Sequence, residues 1–199
     1  MLRLLLGLSL LTLASATSVV PDYFASGFTH VLPDGFDHIL FILGLFFLSR
    51  SFPVLLFQMT LFTIAHSLTL GLSLYGLISV PSKVVEIAIA LSISFIAIEN
   101  LIVNVRLRPW RPWVIVAFGL IHGLGFAHSF AEKPISRENF LPALFSFNLG
   151  IEFGQIAVIG IAYAAVALWW KREWYANAIA RPACVAIAMI GFYMAAQRF

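Results

Sequence analysis

Phe62-Thr-Ile-Ala-His66-Ser-Leu-Thr-Leu70 sets an imidazole in the middle of a stretch otherwise apolar enough for lipid, and Phe118-Gly-Leu-Ile-His122-Gly-Leu-Gly-Phe126 repeats the arrangement. An ionisable side chain amid hydrocarbon costs free energy, so it is usually retained for a task. The same expense recurs at Glu99, Asn100, Asn148, Glu152 and Gln155. A helix bundle in a membrane with a polar, metal-coordinating interior is the expected fold class.

Composition agrees. Of 199 residues, 61% are hydrophobic and 11% charged, against about 25% charged in an ordinary soluble domain. The net charge of +3 comes with no basic block interleaved with aromatics, so a nucleic-acid partner is not expected. One cysteine, Cys184, lies inside an apolar segment. This excludes an internal disulfide and thiolate metal chemistry within one chain. Neither a Walker motif nor a dinucleotide fingerprint is present.

The first residues read as a targeting signal. Met1-Leu2-Arg3 gives a basic start, Leu4 to Leu13 is apolar, and Ala14-Ser15-Ala16 fits a small-residue cleavage site. The expected organisation is a signal peptide over 1–16 and one six-helix transmembrane domain over 17–199. The six spans read as 36–49, 53–78, 82–104, 112–130, 140–169 and 181–197, consistent with a hydrocarbon core about 30 Å thick, with the first and last short. Their boundaries carry helix-start and turn chemistry at Pro53, Pro81-Ser82, Pro109 with Pro112, and Pro182. With the mature N-terminus outside, inner loops hold Arg50, Arg106, Arg108, Arg111, Lys171, Arg172 and Arg181, and outer segments hold Lys83, Lys133, Arg137 and Arg198. This excess on one side follows the positive-inside rule. It implies a multi-pass protein of a bacterial inner membrane with both mature termini periplasmic.

Gly27-Phe-Thr-His30-Val-Leu-Pro33-Asp34-Gly35-Phe-Asp37-His38 packs two imidazoles and two carboxylates around a proline and a glycine. Such donors suit zinc, nickel and cobalt. A turn at Pro33–Gly35 has to bring His30 back toward His38. The competing reading is a polar cap, with Asp34 or Asp37 capping the first span. On the second span Thr63, His66, Thr69 and Ser73 form one polar stripe. Ordinary interhelical hydrogen bonding accounts for its hydroxyls and less well for His66. Glu99 is either a ligand or the partner of Arg106 or Arg108. Gly119-x-x-x-Gly123 brackets His122, and Gly150-x-x-x-Gly154 brackets Glu152. Small residues at this spacing let a neighbouring helix come close. Asn148, Glu152 and Gln155 share a face, and Glu152 is either held by a cation or kept neutral by a hydrogen bond across helices. The candidate metal ligands are therefore His30, Asp37, His38, His66, His122, Glu152, Glu99 and Asn148. This topology puts His30, Asp37 and His38 at the outer mouth, His66, His122, Asn148 and Glu152 near the middle, and Glu99 toward the inner mouth. Ligands strung across the membrane suit permeation, and ligands gathered at one depth suit catalysis.

These segments resemble the HupE/UreJ family of hydrogenase and urease accessory membrane proteins. The resemblance is carried in order by His30-Val-Leu-Pro-Asp-Gly-Phe-Asp37-His38, Phe62 to Leu70, Ile89-Ala-Leu-Ser92 with Glu99-Asn100, Phe118 to Ala127, and Phe147-Asn-Leu-Gly-Ile-Glu152-Phe-Gly-Gln155. It implies uptake of nickel, or of cobalt, to supply metalloenzymes. His30 and Asp37 are separated by six residues where the best-known members have five. The expected function is thus a secondary permease for a divalent transition metal rather than an enzyme. Nickel is the first candidate, with cobalt and zinc as alternatives. The metal ion and the lipid bilayer are its partners, and a homo-oligomer is left open. The alternatives are an intramembrane zinc-dependent hydrolase and a non-transporting accessory protein of metalloenzyme maturation.

Overall fold

The computed structural model describes residues 20–49, 51–102, 109–131 and 137–199. The expected signal peptide and Arg50, Arg106, Arg108 and Lys133 of the charge argument lie outside the described residues. Within them the chain is all-helical, without strands. The helices are α1 (Val20–Val31), α2 (Phe36–Leu48), α3 (Phe52–Leu74), α4 (Ser82–Ile102), α5 (Arg111–Ala131), α6 (Phe140–Val166) and α7 (Arg181–Gln197). A π-turn over Ala176–Ala180 leads into α7.

The prolines act where the sequence suggests. Pro53 and Pro182 occupy the first turns of α3 and α7, where a missing N–H is tolerated. Large apolar side chains such as Phe57, Ile64, Leu68, Phe145, Phe192 and Met189 face outward, the pattern expected of a bundle bathed in lipid rather than water.

Six spans are expected from the sequence; among the described residues fewer helices qualify. Four helices are long and apolar enough to cross a membrane, at Phe52–Leu74, Ser82–Ile102, Phe140–Val166 and Ala176–Gln197. The count becomes five if α1 and α2, bent by 67° at their junction, form one broken span. The reason is length. The 13 residues of α2 rise only about 20 Å, short of a core about 30 Å thick. The apolar part of α5, Arg111–Phe126, is a shorter helix.

Helix α1 has no counterpart in the sequence reading, which expects the turn at Pro33–Gly35 but no helix before it. Nor does an acidic side chain cap α2: its N-cap is Gly35, without a side-chain cap bond. The turn between α1 and α2 is tight. A methyl on Gly35 would fall on the carbonyl oxygen of His30, so a residue without a side chain is required there.

Packing follows the small residues. Helix α3 lies along α5, α4 along α7, and α2 against α4 and α6. At the α3–α5 seam a methyl on Gly119 would stand 2.6 Å from the Phe62 carbonyl oxygen, and one on Gly123 would fall on the His66 carbonyl and the Thr69 hydroxyl. The Gly-x-x-x-Gly of α5 thus seats α3 at the level of both histidines. Thr69 Oγ1 locks the seam by donating to the Leu120 carbonyl at 2.7 Å.

Candidate metal centre

Three helices bring imidazoles to one place. His30 closes α1, His38 opens α2, and His66 sits midway along α3. One ligand atom from each lies within 4.8 Å of the other two. Among the described residues no other set of three or more His, Cys, Asp or Glu meets this geometry. The 67° bend is what sets the His30 ring 4.7 Å, centroid to centroid, from that of His38. His66 is fully buried and its ring lies 5.9 Å from that of His38.

His122 joins this group from α5, its ring 5.2 Å from His38. The tautomer of His122 can be derived. Ser92 donates its one hydroxyl hydrogen to the Ile89 carbonyl at 2.7 Å. Its oxygen lies 3.1 Å from His122 Nε2 and is left to accept, so Nε2 carries the proton. Nδ1 then offers a lone pair, and it has no hydrogen-bond partner. Orientation of one ring nitrogen by a hydrogen bond to the other is how metal-binding imidazoles are held.

The remaining nitrogens say the same. His30 Nε2, His38 Nε2 and both nitrogens of His66 make no hydrogen bond of ordinary geometry, although Asn148 lies beside His66. Each buried polar group left unpartnered costs about 1–3 kcal/mol. Several at one point form a donor set that could hold a metal ion. Nitrogens bound tetrahedrally to zinc at about 2.0–2.1 Å stand about 3.3 Å apart, inside the 4.8 Å that bounds the separations here.

The cluster has one open side and one closed side. A cavity of about 360 Å³ is lined by His30, His38 and His122, and by Asp34, Asp37, Glu86 and Arg198 nearer its mouth. One turn further along α2 the wall is aromatic. Phe41 packs on Phe62 at 4.9 Å and on Phe118 at 6.1 Å, and both Phe41 and Phe62 touch the His122 ring.

The other candidate ligands are differently engaged. Asp37 is at the mouth, paired with Arg198 at 3.3 Å. Asn148 is beside His66, with Nδ2 donating to the Leu144 carbonyl at 2.7 Å. Glu99 is not near the imidazoles. It pairs with Arg111 at 2.7 Å in a buried contact; Arg106 and Arg108, the partners offered by the sequence reading, lie outside the described residues. Glu152 faces a groove between α3 and α6, lined also by Ile64, Phe145 and Leu149, and accepts from Thr60 Oγ1 at 2.6 Å. The glycines beside it pack on α1 instead: Gly150 lies against Phe24, and Gly154 against Phe28 and Val31. Glu152, two positions on from Gly150, is thereby turned away from that seam. The histidines among the candidates thus meet in one cluster, and Glu99 and Glu152 are engaged by other partners.

Arg198, Glu86 and Ser92 carry roles that the sequence reading leaves unassigned. For Ser92 a signal existed, a hydroxyl within an apolar helix. For the charged pair there was none, because α4 and α7 meet only in the fold.

A family model described as HupE / UreJ protein matches residues 8–198. Neither the curated proteins nor the solved structures give a match. The family match runs through all four histidines and the helices that assemble them, so this helical, histidine-centred chain belongs to the HupE/UreJ family.

Proposed function

We propose that the protein is a secondary permease that takes a divalent transition metal, nickel in the first place and cobalt or zinc as alternatives, across a bacterial inner membrane. The observation that carries this reading is the trio His30, His38 and His66, with ligand atoms within 4.8 Å of one another, beside a cavity that opens to one end of the bundle. Imidazole selects nickel, cobalt, zinc and copper over magnesium and calcium, which prefer oxygen. All donors of the trio are neutral when they bind, so the site leaves the charge of the dication uncompensated. This suits an ion in transit better than one in storage. This reading takes the cavity mouth as the periplasmic side, with the aromatic wall and the Glu99–Arg111 pair closing the other.

No nucleotide motif is needed to drive such a step. A dication moving inward gains about 4.6 kcal/mol per 100 mV, twice the single-charge value, enough for accumulation over about three orders of magnitude. The test is uptake of radioactive nickel or cobalt into liposomes under an imposed inside-negative potential, with metal analysis of the purified protein. His66→Ala and His122→Ala should abolish uptake. Undiminished uptake in both would remove the reading.

One observation favours a second reading. Gathering of the histidines in one cluster beside an open cavity also suits a zinc-bound water, and so an intramembrane hydrolase. That reading requires tightly held zinc that does not cross under any potential. A purely scaffolding role is supported less, since it requires buried polar groups that satisfy one another.

A further inference from the structure

The guanidinium of Arg198 stands in the mouth of the histidine cavity. Its Nη2 lies 3.3 Å from Asp37 Oδ2, its Nε lies 3.8 Å from Glu86 Oε2, and its Nη1 donates to the Glu86 carbonyl at 2.8 Å. The segment is tied down again by Lys83 Nζ, which donates to the Phe199 carbonyl oxygen. Beyond Arg198 in the same cavity are His38 and His122, 6% and 1% exposed, each with a ring nitrogen that has no partner. The cavity therefore holds a fixed cation between its opening and its electron-pair donors.

We propose that Arg198 is a tethered competitor for the incoming metal: it occupies the carboxylates of Asp37 and Glu86 that would receive a divalent cation, and it yields them when the ion arrives. The proposal rests on reading the histidines as a metal site. Three features support it. First, the carboxylates lining the cavity, Asp34, Asp37 and Glu86, outnumber the one guanidinium there, so the mouth attracts cations even with Arg198 in place. Second, the ion pairs are loose. At 3.3 and 3.8 Å they are longer than the roughly 2.7–2.9 Å of a tight charge-assisted bond. Their side chains are 24–49% exposed, where such pairs are weak. Third, the exchange improves the charge balance: Asp37 and Glu86 with the guanidinium carry a net charge of −1, whereas the two carboxylates together balance one dication. A monovalent ion cannot offer both carboxylates as much as Arg198 does, because it carries no more charge and lacks the guanidinium's donors. Arg198 thus acts as a specificity-determining residue for double charge, without itself touching the metal.

The test measures Ni2+ and Zn2+ affinity of the full-length protein in lipid nanodiscs. Arg198→Gln should tighten binding at least about tenfold, as removal of a unit positive charge near a dication predicts, and Arg198→Met should do the same. Arg198→Lys should restore wild-type affinity, which a loss of mere packing would not allow. Lys171→Gln, the same charge change on an exposed residue elsewhere, should do nothing. In an Asp37→Asn background the gain from Arg198→Gln should shrink severalfold, because the competition is for that carboxylate. Affinity within twofold of wild type in Arg198→Gln and Arg198→Met, with binding still abolished by His66→Ala, would overturn the tethered competitor and leave the metal site standing. Absence of binding in every variant would overturn both.

Discussion

The Glu99 carboxylate and the Arg111 guanidinium meet at 2.7 Å with side chains 5% and 2% exposed, seven residues beyond Ser92 on α4, or about 10 Å further along that helix. A buried pair of this kind contributes little net stability while intact, yet is costly to break, because the partner left behind is a desolvated charge. Arg111 already has two nitrogens, Nε and Nη2, without a partner. Glu99→Gln should therefore destabilise the fold by about 3–5 kcal/mol, read as a lowered unfolding temperature in detergent. Affinity for nickel should stay within about twofold of wild type. A loss of affinity at unchanged stability would return Glu99 to the role of metal ligand.

Ser92 governs which nitrogen of His122 is available. With its hydrogen committed to Ile89, its oxygen holds the Nε2 proton and leaves Nδ1 as the donor. In Ser92→Ala the ring loses this partner, and both tautomers and other ring orientations become open to it. Loss of such an outer-shell hydrogen bond typically lowers metal affinity by about 10–100-fold. The measurement is competition for Zn2+ or Ni2+ with a chelating dye. Nitrogen-15 spectra of the imidazole should show a shift away from the Nε2-protonated form. Unchanged spectra would mean that something other than Ser92 sets the tautomer.

The α3–α5 seam offers a test of packing. Gly123→Ala places a methyl on the His66 carbonyl and the Thr69 hydroxyl, and the carbonyl is backbone that cannot swing aside, so the helices must part. Overpacking of this order costs about 1–3 kcal/mol. It also shifts the two helices that carry His66 and His122, so metal affinity should fall with stability. Gly160→Ala on α6, where the added methyl meets nothing within 4 Å, is the matched control. It should be neutral or slightly stabilising, because alanine is the better helix former. Equal melting temperatures for the two variants would show that the seam is looser than described.

How much of this was legible in the sequence depends on whether the signal is local. The helices α3 to α7 are announced by long apolar runs and by prolines at their starts, and the histidines stand out because so little else there is ionisable. Gly119 and Gly123 announce a close neighbour but not which one. Helix α1 is obscured because Asp22, Ser26, Gly27, Thr29 and His30 give it the texture of a loop. In the fold Gly27 lies against the Phe147 carbonyl, while His30 is spent on the cluster. The closeness of the histidines to one another is hidden for a related reason. Positions along separate spans say nothing of a 67° bend that lays His30 beside His38. Pairings across the bundle, Glu99 with Arg111 and Asp37 with Arg198, are properties of the assembled fold.

Glu152 gives the sharpest contrast between residue type and placement. By composition it is an acid within a span, flanked by glycines and aligned with Asn148, and so a natural ligand for a cation in the bundle centre. By placement it lies on the α3–α6 groove with Phe145 and Ile64, which are 72% and 63% exposed, close by. Thr60 donates to it at 2.6 Å, and one turn on, Thr63 donates to Gln155 at 3.2 Å. Both bonds tie α3 to α6, and the glutamine amide shows that an uncharged acceptor serves this seam. Glu152→Gln should keep the Thr60 bond, since the amide oxygen accepts as the carboxylate does. Stability should change by less than about 1 kcal/mol, within the range of surface substitutions and modest hydrogen-bond changes. Nickel affinity should be unaltered, whereas His30→Ala and His38→Ala should each abolish binding. Calorimetric titration of the three variants decides the matter. Equal losses in all three would place Glu152 back in the coordination sphere and would require α6 to rotate from its present face.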